Sequence, residues 1–131
     1  MPDKFAVPLT IVASESRADF TGPDLKNDQF RGGDFFVEQT AQGSTTAFVT
    51  VKIQGKVPGS TTYYTLATVS PSTTVTWSKR VRIYPAASTA LNSTGLDPTV
   101  LNEFLPTIYR VTSTNASTSS VTWACSASLF Q

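Results

Sequence analysis

Residues 121–129 read VTWACSASL: Val121, Trp123, Cys125, Ala127 and Leu129 are apolar, while Thr122, Ser126 and Ser128 between them are polar. Side chains of a β-strand point alternately to its two faces, so the stretch reads as a strand with one face in a core and one toward water. The period recurs upstream. Val49, Val51 and Ile53 oppose Thr50, Lys52 and Gln54. Val75, Trp77, Val81 and Ile83 oppose Thr76, Arg80 and Arg82, with Lys79 intruding on the apolar side. Residues 5–13, 34–40, 63–69 and 108–113 bring the total to about seven or eight strands, separated by Gly, Pro, Asn and Ser. The expected fold is all-β: a single antiparallel β-sandwich or jelly-roll-like domain with an extended N-terminal arm. Residues 1–16 form the arm or first strand, and residues 17–131 form the sandwich.

Between the strands, residues 51–70, VKIQGKVPGSTTYYTLATVS, read as a hairpin turned at Pro58-Gly59, with Val51, Ile53 and Leu66 as core candidates. Tyr63 and Tyr64 are adjacent, so they point to opposite faces, one outward and one expected in the core. The one helical turn is expected in LDPTVLNEFLP, residues 96–106, with Asp97 as cap, Pro98 at the first helical position and Pro106 as stop. Residues 21–33, TGPDLKNDQFRGG, and residues 85–106 read as long loops without alternation or core residues. STNASTSS, residues 113–120, reads as a polar hairpin tip.

Composition bounds the function. The chain has 131 residues, enough for one domain, and Ser and Thr make up roughly a quarter of it. A net charge of +1 supplies no strong field toward nucleic acid or acidic membranes, so neither is expected as a partner. No basic segment precedes a long apolar one near the start, so no secretory signal is expected, and no apolar run approaches the ~18 residues of a membrane helix. Asn92-Ser-Thr and Asn115-Ala-Ser match the glycosylation pattern, as a chain this rich in Ser and Thr does by chance.

Histidine is absent, which removes the commonest general base and the commonest zinc ligand. The lone Cys125 shares a strand face with Trp123 and Leu129, where a thiol is expected to be buried, protonated and inert. Asp19, Asp24, Asp28, Asp34 and Glu38 follow no calcium-loop spacing and are interleaved with Lys26 and Arg31, which suits local ion pairs. The Gly pair of FRGGDFF lacks a phosphate-loop pattern and reads as a turn feeding a strand. Lys79, Arg80 and Arg82 beside Trp77 and Tyr84 suggest a basic-aromatic surface, against which stands ordinary pairing of the arginines with carboxylates. Tyr63, Tyr64 and Arg82 are the natural candidates for a carbohydrate site. No catalytic, cofactor or metal residue is assigned, and an enzyme is not expected.

Taken in order, FRGGDFFVEQTA, VKIQGKVPGSTTYYTLATV, RVRIYP, FLPTIYRVT and SVTWACSASL resemble a family of small tailed-phage virion structural proteins. Its members run from an Arg-Gly turn into an apolar strand, then through I-Q-G-K, Y-Y-T-L, R-V-Y-P and an aromatic-Arg-Val strand to a terminal S-V-x-A-S-L. The likeness spans Phe30 to Leu129 and departs at Ile83, at the Pro58-Gly59 loop and over Leu91 to Phe104. It implies a capsid decoration or cement protein that binds the outer head surface, with the major capsid protein and sister copies, as a trimer, for partners. Tail or head-tail roles, or a carbohydrate-binding module, are the alternatives. The arm and the two long loops would then make the contacts, through Phe5, Leu9, Phe20, Leu25, Phe30, Arg31, Leu91, Leu96 and Phe104.

Overall fold

A computed structural model describes residues 6–44, 48–71, 75–85 and 98–131. They form two packed β-sheets, a β-sandwich, built from β1 (Ala6–Arg17), β2 (Phe20–Thr21), β3 (Leu25–Lys26), β4 (Gly32–Gln42), β5 (Val49–Lys56), β6 (Tyr63–Val69), β7 (Trp77–Ile83), β8 (Pro98–Leu101), β9 (Ile108–Asn115) and β10 (Val121–Phe130). The first sheet has the order β1-β10-β4-β7-β8, and the second β2-β9-β5-β6 with β3 also on β9. All pairings are antiparallel except that of β7 with β8.

The alternation read from the sequence is the device that closes the core. From β10, Trp123, Cys125, Ala127 and Leu129 point inward with Phe35 and Val37 of β4 and Val81 and Ile83 of β7. Val49, Val51 and Ile53 of β5, Ala67 and Val69 of β6 and Tyr109 and Val111 of β9 meet them from the other sheet. Each large side chain so buried is worth about 1.5–3 kcal/mol, which is why a chain without disulfides can hold two sheets together. Aromatic edges lock the layers: Phe35 meets Tyr109 at 6.0 Å between ring centroids and Phe20 meets Trp123 at 6.1 Å. Gln39 is also fully enclosed, and its Oε1 accepts from the Val49 amide at 3.2 Å, tying one sheet to the other.

Four expectations change, the first at Val75, which precedes β7 and is 51% exposed instead of sharing the buried face of Trp77. Residues 98–101 are not helical: they form β8, running parallel to β7 with Arg80 opposite Pro98 and Ile83 opposite Leu101. Pro98 has no amide hydrogen, which an edge strand tolerates at its first residue, and the sheet captures a segment whose local cues favoured a helix. Asp97 lies outside the described residues.

The two long loops are not coreless. Leu25 and Phe30 pack against the core, and Asn27 and Leu105 are buried. Asn27 Nδ2 donates to the carbonyls of Phe30 (2.7 Å), Leu105 (3.1 Å) and Pro106 (3.3 Å), while its Oδ1 accepts from the Phe30 amide. One asparagine therefore ties the first loop to the end of the second.

Neither tyrosine enters the core. A bulge leaves Leu66 unpaired between Ala67, opposite Ile53, and Thr65, opposite Gln54. Leu66 is half-buried against the core, whereas Val51 and Ile53 are fully enclosed. Beyond the bulge Tyr64 lies opposite Gly55 on the core side, at the open end of the sandwich and 42% exposed; Tyr63 lies opposite Lys56 on the outer face.

Candidate binding surface

The β5–β6 hairpin and the start of β9 build a cleft of about 650 Å³ lined by Val57, Pro58, Tyr64, Pro106 and Ile108, with Lys56 at its side. Gly59, with φ of 72°, turns the loop in the left-handed region open to glycine, and the Val57 amide donates to the Thr62 carbonyl at 2.9 Å to close it. The Tyr64 ring lies over Gly55 and beside Pro106, so the cleft floor depends on a residue without a side chain.

On the other side of the same hairpin is a polar cluster. Tyr63 Oη donates to Asp24 at 2.6 Å, Lys56 Nζ pairs with Asp24 at 3.2 Å, and the Arg110 guanidinium lies 3.5 Å from the centre of the Tyr63 ring. Arg110 Nε donates to Gln54 at 2.9 Å. The Tyr63 hydrogen bond, followed by Lys56, draws the Asp24 carboxyl below its ordinary range, and the bond to Asp24 raises both Tyr63 and Lys56. The cluster fastens the segment before β3 to the β5–β6 hairpin.

The other carboxylates scatter. Asp34 takes a two-pronged contact from Arg82, at 2.7 and 2.8 Å, which raises the Arg82 guanidinium. Glu38 accepts from Ser78, and Asp19 from the Asn115 amide. No group of His, Cys, Asp and Glu among the described residues gathers to hold a metal ion. Cys125 is enclosed, and burial pushes its thiol up to about 12. Asn115 Nδ2 is committed to the carbonyls of Arg17 and Ser119, which occupies the nitrogen that glycosylation would modify.

The basic-aromatic surface proposed around β7 is dispersed. Trp77 is buried, Arg82 is committed to Asp34, and Lys79 crosses from the core side to donate to the Ser70 carbonyl while lying over the Trp77 ring. Tyr63, Tyr64 and Arg82 likewise do not converge: the first two lie on opposite faces of one sheet and Arg82 lies in the other.

Of the residues assigned to partner contact, Leu9 and Phe104 are exposed (38% and 67%) and Arg31 is exposed, while Phe20, Leu25 and Phe30 are half-buried against the core. Phe5, Leu91 and Leu96 lie outside the described residues. Leu9 and the equally exposed Val7 sit on β1, an edge strand paired only with β10. The sequence reading missed the cationic outer face of the second sheet, although Lys52 and Gln54, on the polar side of β5, signalled it. Comparison with protein-family models, curated proteins and solved structures returns no match to this chain.

Proposed function

We propose that the chain is a bacteriophage structural protein, a capsid decoration or cement protein that binds the outer surface of the head and stabilises it, with the major capsid protein and further copies of itself as partners. The observation that carries the reading is where the reactive groups are spent. The only thiol is sealed in the core, and Asp34, Asp24, Lys56 and Tyr63 are committed to fastening strands and loops. What stands free is sheet face and strand edge, which suits recognition by shape and charge. The segments carrying the phage-family resemblance fall on β4, β5, β6, β7, β9 and β10, and two departures fall in the β5–β6 turn and around β8.

Purified protein added to heads that lack it tests the reading. Co-sedimentation with a raised head melting temperature is expected. Failure to co-sediment, combined with labelling of the tail by antibodies to the protein, would assign it to a tail or head-tail position instead.

A further inference from the structure

Four of the ten Lys and Arg residues, Lys26, Lys52, Lys56 and Arg110, belong to the outer face of the β2/β3-β9-β5-β6 sheet. Register sets Lys52 between Thr112 and Thr68, and Gln54 between Arg110 and Thr65. A shallow groove of about 360 Å³ runs there, bordered by Lys52, Gln54, Arg110, Thr112 and Thr114, with the Asp19 carboxylate also in its lining. Lys26 and Lys52 are exposed and have neither an ion pair nor a hydrogen bond among the described residues. Arg110 is fixed by its stack on Tyr63 and its bond to Gln54, which engages one of its five N–H donors. Two carboxylates stand beside these four cations: Asp24 is paired with Lys56 and Tyr63, and Asp19, which accepts from the Asn115 amide, keeps its charge at the edge of the groove, so cations exceed carboxylates by two. On the outer face of the other sheet, Asp34 and Glu38 stand beside Arg80 and Arg82, and the signs balance. The small net charge of the chain thus conceals one face with a cationic excess.

We infer that this face is a docking surface for an acidic, carboxylate-rich protein surface; resting on the function proposed above, that surface is the outside of the phage head. Fixed guanidinium, free ammonium groups and rows of Thr hydroxyls match carboxylates and backbone carbonyls. Nucleic acid fits less well. Tyr63, the aromatic residue on this face, has its ring covered by Arg110 and its hydroxyl held by Asp24, which leaves no platform for stacking bases.

The test pairs two measurements on Lys26→Glu/Lys52→Glu, with Ser126→Glu on the opposite sheet as control and thermal melting to confirm that each variant folds. In NMR titration with a short polyglutamate peptide, shifts are expected at Lys52, Gln54, Arg110 and Thr112, lost in the double variant and in high salt. In binding to heads lacking the protein, the double variant is expected to bind at least about tenfold more weakly than wild type, and wild type to weaken similarly between about 50 and about 300 mM NaCl, while Ser126→Glu is unchanged. Wild-type-like head binding by the double variant, loss of binding in Ser126→Glu, or tighter binding of a DNA duplex than of polyglutamate would each overturn the inference. Heads that bind none of the proteins, with polyglutamate still mapping to this face, overturn the head assignment and support the acidic-surface one.

Discussion

Asp34 of β4 and Arg82 of β7 face each other across the sheet and share two hydrogen bonds, 2.7 and 2.8 Å long, with the carboxylate side chain only 8% exposed. Arg82 also lies over the Phe130 ring, 5.6 Å from its centre. Removing the cation alone strands an enclosed carboxylate. Arg82→Ala is therefore expected to cost about 3 kcal/mol, somewhat below the loss for a fully buried pair because Arg82 is 28% exposed. Asp34→Ala/Arg82→Ala, which leaves no unpaired charge, is expected to cost less than Arg82→Ala. Urea melts of the three proteins check this, and a double variant less stable than Arg82→Ala would refute it.

Trp123 is wholly enclosed, with Phe20 edge-on and the Arg17 guanidinium 5.5 Å from its ring centre. Trp123→Ala is expected to cost about 3–5 kcal/mol, a large fraction of the stability of a domain this size. Trp123→Phe keeps a ring against Phe20 and costs less. Measured by denaturant unfolding, a loss below ~1 kcal/mol for the alanine variant would show that the ring is not held in a closed core.

Strands with strict alternation were legible because burial of one face is decided by local pattern: β5 and β10 follow the sequence reading residue by residue. Lys79 in β7 obeys the same rule despite its charge, since its long stem lets the ammonium leave the core side and reach the Ser70 carbonyl. What was not legible depends on partners distant in sequence. Pro98 carries a helix-start cue that pairing with β7 overrides. The bulge at Leu66 and the end of the sandwich, not the parity of adjacent residues, decide that Tyr64 stays half in water. Asn27 looked like one polar loop residue among several, yet its side chain reaches Leu105 and Pro106 far along the chain. The cationic sheet face has no local signature because Lys26, Lys52, Lys56 and Arg110 come from three separate strands.

Gly32 and Gly55 separate backbone crowding from side-chain crowding. A Cβ at Gly32 would collide with the Ile83 carbonyl oxygen, in backbone that pairs β4 with β7. At Gly55 it would meet the Tyr64 ring at 2.6 Å and Pro106 at 2.7 Å, and the ring can swing outward. Gly32→Ala is expected to cost more than about 3 kcal/mol or to prevent folding. Gly55→Ala should cost ~1–2 kcal/mol, with the loss partly recovered in Gly55→Ala/Tyr64→Ala. Thermal melting ranks the variants, and equal losses at the two glycines would contradict the contrast.

Cys125 should control part of the alkaline stability. Burial lifts its thiol from an ordinary value of 9.0 to about 12, so the unfolded chain releases this proton before the folded one does. The folded state is then favoured fully below about pH 9, and that advantage is lost as pH rises toward 12, at up to roughly 1 kcal/mol per pH unit. Tyr109, raised chiefly by burial, adds to the slope in the same direction. Cys125→Ala is expected to flatten the decline of stability above pH 9, measured by urea unfolding across the range, while leaving in place the part of the Tyr109 contribution that comes from burial. The same enclosure should keep the thiol from reacting with a disulfide reagent at pH 8 until denaturant opens the fold. A native protein labelled at the rate of a free thiol, or a Cys125→Ala profile that falls as steeply as wild type, would place the sulfur outside the closed core.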